Sequence, residues 1–458
     1  MSDSNKLKEL EAKHQANKIK FKDIEVWPVL RYYICAKHTA NSTSKTLDSA
    51  FVIKMFLNTF YGLKNIFKRC DYLFISSSDQ RLKLEGEMVD KSIDYIAGKV
   101  QNPLLIERPH YSHYSHKKIP YKNITSKIPY YILTLILSKF IKVKGRIQYE
   151  KTIEDINREL NIKIDYKKII KTYIAQYIIS KKLQKWKKLK AVFVVCHYTN
   201  MGMIRAFKEQ GVPVVEVQHG LIAKNHCAYN IFVENDQLNY PSYLLTFGSR
   251  EKLTFSKENL FINPNNVIPV GHFYLDYINK EYKGDEDLKK VTSKYQTTVA
   301  VTSQNHPIEK KLIKFIKAVA ELNPKILYIF IPRTYNKKIE DYNFPKNNVI
   351  MVDWLNVYKI IWHSDIHSTV FSTCALEAPS LGVGNILIDI DNYSTKMLSN
   401  ILPSSLVHRY VKTPENFLIE LENSIGISKI DVIEKNSVII KPNYKENIND
   451  FINSFIHK

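Results

Sequence analysis

The chain has 458 residues, enough for two domains that each bury a core, and its 45% hydrophobic and 24% charged residues with only 13 glycines exclude a fibrous or largely disordered chain. A net charge of +22 sets up a field that attracts phosphates, anionic lipid head groups or acidic polymers. The lysines are spread along the chain without a zinc finger, an RNA-binding sheet signature or a basic-region zipper, so nucleic acid is not an expected partner. Cys35, Cys70, Cys196, Cys227 and Cys374 are scattered, with no CxxC pair and no metal-ligand spacing, which fits a reducing compartment and argues against a disulfide framework or a zinc site. The charged N-terminus, MSDSNKLKELEAKHQANK, lacks the apolar stretch of a secretory signal, so a cytoplasmic location is expected.

In chain order, a polar helical leader (residues 3–20) precedes a segment that puts Ile24, Trp27, Leu30 and Ile34 near helical spacing. Residues 72–76 read as a buried strand, followed by a polar turn and by Arg81, Lys83, Glu85 and Gly86; a second apolar run, 103–106, ends at Glu107 and Arg108. Residues 125–190 read as a helical insert rich in lysine. Its stretch 128–141 is too short to cross a bilayer and is flanked by Lys127, Lys139, Lys142 and Lys144. It is either an amphipathic or buried helix, or a basic helix resting on the inner leaflet, where anionic lipids contribute about 1 kcal/mol per lysine.

The runs 191–196 and 213–217 enclose a helix that stops at Gly211, a strand, helix, strand unit of a parallel sheet. Further strands are expected at 243–246 and 266–270, the latter leading to Gly271 and His272. The polar stretch 281–287 is the expected linker, giving an N-terminal Rossmann-like domain over 1–280 and a C-terminal one over 288–458, whose last helix could pack back on the first. In the second domain, strands at 298–301, 326–331, 366–370 and 385–390 alternate with helices at 309–322, 355–362 and 373–381. The expected class is therefore α/β, with two doubly wound Rossmann-like domains facing across a cleft. Ligands of such sheets bind beyond the carboxyl ends of the strands.

Polar residues at those ends are the candidates for chemistry. Ser372 and Thr373 fall where a helix begins and Glu377 lies one turn in, an arrangement suited to a phosphate at the helix end and a ribose diol on the carboxylate. Simple capping by Ser372 or Thr373 is the alternative. In VVEVQHG, Gln218, His219 and Gly220 end a strand, so His219 is a candidate general base or else a structural histidine, with Lys224, Asn225 and His226 close behind. Arg81, Lys83 and Glu85 are candidates to meet an anionic acceptor, Glu85 as a rival base, or form a solvated loop. Ser303 and Gln304, followed by Asn305 and His306, and Arg333 beside Pro332 follow strands of the second domain, where Arg333 could neutralise a donor phosphate. GxxxxGK[ST], GxSxG and HExxH are absent and no DxD-like pair follows a strand, so no metal is expected.

Trp27, Pro28, Leu30 and Arg31, the QHG of Gln218, His219 and Gly220, the pair Gly271 and His272, and the STxxxEA segment with Ser372, Thr373, Glu377 and Ala378 together resemble the bacterial capsule and lipopolysaccharide glycosyltransferases of the GT-B architecture. The resemblance spans most of residues 21–400, and QHG is shared by the teichoic-acid and the capsule Kdo and sialic-acid types. It implies a nucleotide-binding second domain with donor contacts from Ser372, Thr373 and Glu377, an acceptor-binding first domain, and His219 near the reaction. Donor contacts from Arg333, Ser303 and Gln304 and acceptor contacts from Arg81, Lys83, Gln218 and Lys224 complete the expected set. Many relatives carry Lys-x-His-Pro where this chain has Ile331, Pro332, Arg333 and Thr334, and its His-Pro is His306 and Pro307 after the preceding strand. Arg333 is accordingly assigned that phosphate contact. The implied activity is metal-independent transfer from a CMP-linked Kdo or other nonulosonate, ahead of a UDP- or GDP-hexose, to a hydroxyl of a growing glycan or lipid-linked glycan at the inner face of the membrane, with no cofactor beyond the donor. A non-hydrolysing sugar-nucleotide epimerase, a polyol-phosphate transferase of the teichoic-acid type and a noncatalytic adaptor of capsule assembly are the alternatives.

Overall fold

A computed structural model of the chain describes residues 3–39, 56–222, 226–255, 258–304, 307–333, 339–345 and 347–456. It divides into two compact units, one of Met1–Thr246, Arg250–Pro269 and Lys445–Lys458, the other of Phe247–Ser249 and Val270–Tyr444. Among the described residues no helix is long and apolar enough to cross a membrane.

In unit 1 the leader forms helix α1 (Asp3–Lys13), strands β1 (Lys20–Phe21) and β2 (Ile24–Glu25), and helix α2 (Trp27–Thr39). Leu7, Leu10, Val26, Trp27, Leu30 and Ile34 draw these pieces into the core. Inside it, Glu11 accepts hydrogen bonds from Trp27 Nε1 at 2.8 Å and Arg31 Nε at 2.7 Å. The chain continues through β3 (Tyr72–Ser77), β4 (Arg81–Leu84), β5 (Glu87–Asp90), β6 (Pro103–Arg108), β7 (Ile124–Ser126), helix α3 (Ile128–Phe140), β8 (Ile147–Gln148) and helix α4 (Tyr166–Lys187). Strand β9 (Ala191–Val194), helix α5 (Met201–Lys208), β10 (Val214–Val217), β11 (Tyr243–Thr246) and β12 (Val267–Pro269) follow.

Seven of these strands form a sheet in the order β12-β11-β10-β9-β3-β6-β7, every neighbouring pair parallel. Strands β9 and β10 are buried along their whole length, as continuous apolar runs in a parallel sheet require. The order reverses at β3, with β6 on one side and β9 on the other, so the sheet's switch point lies between β3 and β9. Two elements differ from the sequence reading. The insert read as helical from residue 125 includes most of edge strand β7, which is too short for a period to show. Residues 81–90 form an antiparallel hairpin rather than a loop, turned at Glu85 (φ 46°) and Gly86 (φ 90°), the positive φ pair that a tight hairpin turn requires.

Unit 2 contains helix α6 (Phe273–Lys280), β13 (Thr297–Thr302), helix α7 (Ile308–Leu322), β14 (Ile326–Ile331), β15 (Val349–Ile350), helix α8 (Val357–Trp362), β16 (Ile366–Thr369), helix α9 (Cys374–Glu377), β17 (Gly384–Ile388) and β18 (His408–Val411). Its six strands run parallel in the order β15-β14-β13-β16-β17-β18, with the switch point between β13 and β16. Val299, Val301, Leu312, Ile316, Phe330, Ile386 and Phe417 fill its core.

The division of the chain falls at Val270, ahead of the polar stretch 281–287. Gly271 takes φ 96°, and a Cβ there would lie 2.2 Å from the Lys441 carbonyl oxygen. At Gly248 it would lie 2.2 Å from that of Val438. These glycines let two short segments pass against the backbone of residues 438–441, where Lys441 N donates to Phe247 O at 2.8 Å. The last helix, α10 (Tyr444–Ile456), belongs to unit 1 from Lys445 onward, with Phe455 against Phe193 and Tyr243.

Candidate functional site

At the carboxyl ends of β3, β6, β9 and β10, unit 1 holds a cavity of about 300 Å³ lined among others by Asp79, Arg108, Lys127, Asn200 and His219. Lys127 sits between edge strand β7 and helix α3, and its backbone N–H bonds the Glu107 carbonyl at 2.8 Å. Its side chain is buried, and Nζ donates to Asn200 Oδ1 at 2.6 Å. Asn200 is held in turn by its own Nδ2, which donates to the Cys196 carbonyl at 2.9 Å. Burial pushes the Lys127 ammonium down to about 8, because a charge is costly to desolvate. Arg108 stands at the mouth, with Nε donating to Ser77 Oγ at 3.2 Å and Nη2 3.9 Å from Asp79.

His219 reaches this cavity because the QHG turn is braced from within: Gln218 is buried and donates to the Gly220 carbonyl at 2.9 Å and to Glu251 at 3.3 Å. The ring is half-buried, and its Nδ1 is a buried atom with no hydrogen-bond partner among the described residues. Burial lowers its pKa below the ordinary histidine value, with the Glu216 charge opposing. Glu216 itself is engaged one layer deeper, accepting from His197 N at 3.0 Å, His197 Nδ1 at 2.8 Å and Tyr229 OH at 2.9 Å. A neutral imidazole, an ammonium and a guanidinium thus share one concave site.

Arg81 is not part of it. Its guanidinium is buried and donates to Glu107, to Asp94 at 2.9 Å and to the Met88 carbonyl at 2.8 Å, so the acceptor contact expected of it is corrected to an internal ion-pair cluster. Lys83 and Glu85 are exposed on the hairpin and do not line the cavity. Lys224 and Asn225 lie outside the described residues. Lys127 and Asn200 were missed as site residues by sequence reasoning, since only the strand at 124–126 places Lys127 at a sheet edge.

In unit 2 a buried polar chain crosses the sheet from β13 through β16 and β17 to β18. Thr302 Oγ1 bonds His367 Nε2 at 2.9 Å, His367 Nδ1 bonds Asn385 Oδ1 at 2.7 Å, and Asn385 Nδ2 meets His408 Nδ1 at 3.0 Å. Burial pushes both His367 and His408 down to about 4, so at neutral pH they are uncharged links. Thr369 Oγ1 donates to the Thr302 carbonyl at 2.9 Å and accepts from Gln304 Nε2 at 3.2 Å, while Ser303 Oγ donates to Glu309 at 2.9 Å. Ser303 and Gln304 are therefore buried braces of the β13 edge.

The helix expected over 373–381 is shorter. Helix α9 has four residues and passes into a 3-10 turn, Ala378–Leu381, that contains Pro379. Ser372 Oγ accepts from Cys374 N at 3.3 Å, and the Ser372 and Thr373 carbonyls accept from Ala375 N at 3.0 Å and Leu376 N at 2.9 Å. The helix end expected there is a short one, and a single α-helical turn sums few peptide dipoles. What remains for a ligand is the exposed Thr373, the half-buried Glu377, which accepts from Tyr358 OH at 3.0 Å, and the exposed Arg333 beyond β14. Asn305, His306 and Thr334 lie outside the described residues. Among the described residues no three His, Cys, Asp or Glu side chains group as a metal-binding set.

No protein-family model matches the chain, and no curated protein matches it. Solved structures do. A UDP-GlcNAc 2-epimerase from Neisseria meningitidis, bound to UDP-GlcNAc, is 12% identical and superposes with a TM-score of 0.50 over 84% of this chain and 100% of its own. The UDP-GlcNAc 2-epimerase of Methanocaldococcus jannaschii is 13% identical, with a TM-score of 0.51 over 84% of this chain and 99% of its own. Another UDP-N-acetylglucosamine 2-epimerase is 12% identical, with a TM-score of 0.50 over 86% and 98%. At such identities the likeness is one of fold: two parallel-sheet Rossmann-like domains of the GT-B architecture.

Proposed function

We propose that this chain is a glycosyltransferase that moves a sugar from a nucleotide-activated donor to a hydroxyl of a bacterial capsule or lipopolysaccharide glycan. The observation that carries the reading is the unit 1 cavity, where Lys127, Arg108 and His219 line the carboxyl edge of a parallel sheet. Two cations suit an acidic or phosphate-bearing acceptor, and His219, held neutral by burial, suits proton removal from its hydroxyl. Unit 2 would hold the donor, with Glu377 on the ribose and Thr373 and Arg333 on the phosphate, beside the edge braced by Ser372, Ser303 and Gln304.

In the proposed reaction the acceptor oxygen attacks the anomeric carbon and the bond from that carbon to the nucleotide phosphate breaks. The phosphate leaves with the bonding pair, and the hydroxyl proton passes to His219. Arg333 would stabilise the charge that develops on the leaving group, without a metal. A CMP-linked nonulosonate is the favoured donor, since the net charge of +22 suits polymers of acidic sugars. Helix α3, with Ile132 and Leu135 exposed beside Lys139, supports peripheral contact with an anionic inner leaflet.

The epimerase reading is the second one, because the superposed enzymes carry that activity on the same fold. Product analysis separates the two. Incubation with CMP-, UDP- and GDP-linked sugars should release free nucleotide only when a glycan acceptor is present. Epimerised nucleotide sugar without acceptor supports the second reading, and no turnover of any donor contradicts both.

A further inference from the structure

Helices α3 and α4 of unit 1 enclose a groove of about 670 Å³, within the roughly 300–1,000 Å³ range of pockets that bury small molecules. Its floor is the sheet itself, through the buried Leu73 of β3 and Leu104 of β6. On α3, Leu133, Ile136 and Phe140 repeat at helical spacing along one wall. They are 54%, 50% and 75% exposed, and Trp186 on the opposite wall is 53% exposed. So much exposed apolar surface on one face marks a site of interaction.

Three observations select the occupant. The groove is small: a helix about 10 Å across would fill its 670 Å³ in under two turns, whereas a single hydrocarbon chain fits within that volume. Its charged lining residues are Lys182 and Lys187, with no acid among them. Lys187 is held in place, its Nζ donating to the Lys68 carbonyl at 2.7 Å and standing 4.0 Å from the Trp186 ring centre. Finally, the groove and the polar cavity are lined by neighbouring residues of the same elements. Ser126 and Tyr130 line the groove while Lys127 and Tyr131 line the cavity, and on β6 Ile106 lines the first and Arg108, two residues on, the second.

We propose that this groove seats one hydrocarbon chain of an anionic lipid-linked acceptor, with Lys182 and Lys187 against its negative charge. The assignment deepens the transferase reading, on which it rests for the chain's owner. Its physical content, chain binding by unit 1, is measured without nucleotide, so the two can fail separately.

The test uses the full chain and 9,10-dibromostearate, kept monomeric, whose bromines quench nearby tryptophan emission. Trp186 is one of four tryptophans, and the expected result is a saturable partial loss of emission that disappears in Trp186→Phe. Leu133→Glu with Ile136→Glu should weaken binding at least tenfold. Lys182→Glu should weaken the acid several-fold while leaving the uncharged methyl ester unchanged. If the double variant fails to fold, the Trp186→Phe and Lys182→Glu arms still decide. Quenching that does not saturate or survives Trp186→Phe overturns the proposal. So does binding to anionic vesicles with no response to the monomer, which assigns the face to a bilayer, or a dimer abolished by Leu133→Glu, which assigns it to a second copy.

Discussion

Lys127 and Asn200, 73 residues apart in sequence, meet at 2.6 Å inside the unit 1 cavity, one following edge strand β7 and the other following β9. This contact joins the two sides of the sheet's switch point and holds a buried ammonium where an acceptor anion would sit. Its titration near 8 sets a limit on the proposed activity. Turnover should fall as pH rises through about 8, where Lys127 loses its proton. The acid limb should lie below 6.5, because burial lowers His219 and the base must be neutral. In Lys127→Arg the basic limb should move upward by more than a pH unit, which a pH profile of kcat/KM reads directly.

The same group predicts a pH dependence of stability. Lys127 titrates near 10.5 when unfolded and about 8 when folded, so the folded chain binds fewer protons between those values. The burial cost is present in full below the folded value and fades as pH climbs toward the unfolded one. Lys127→Met should therefore gain on the wild type at pH 7 relative to pH 10.5 by on the order of 3 kcal/mol, measured by denaturant unfolding at both pH values. An equal difference at the two pH values would show that Lys127 is not desolvated.

Replacing His219 by alanine removes the proposed base and leaves the braces at Gln218 and Glu216 in place. The expected loss in kcat is about 10²- to 10⁴-fold, with the melting temperature and nucleotide affinity unchanged. Unaltered turnover would remove the base assignment and return His219 to a structural role.

The leader motif has a different consequence. Arg31 is paired with Glu11 in the interior, so Arg31→Ala leaves a buried carboxylate without its counter-charge. The expected cost is about 3–5 kcal/mol of stability, read by denaturant unfolding. Activity per folded molecule should stay constant.

Much of the architecture was legible because parallel sheets buried on both faces write continuous apolar runs, as at residues 191–196 and 326–331. The short strands at Ile124–Ser126, Val349–Ile350 and His408–Val411 were not, since two to four residues carry no period and His408 and Arg409 are polar residues buried by their partners. Within the candidate site, QHG announced itself through a strand that breaks into Gln218, His219 and Gly220. Lys127 did not, because a lysine ahead of an apolar helix reads equally as a flank. Arg81 misled for the opposite reason: its strand-end position matched a ligand contact, but the carboxylates that absorb it, Asp94 and Glu107, come from elements 13 and 26 residues away.

A transferase of this kind needs the carboxyl edge of the unit 2 sheet to bind a nucleotide, with Glu377 as the proposed contact. Calorimetric titration of the full chain with CMP, CDP, UDP and GDP tests it most directly, since one of them should bind with a one-to-one heat. That heat should weaken at least tenfold in Glu377→Ala and persist in Lys127→Met. No heat from any of the four, or binding indifferent to Glu377, would contradict the account.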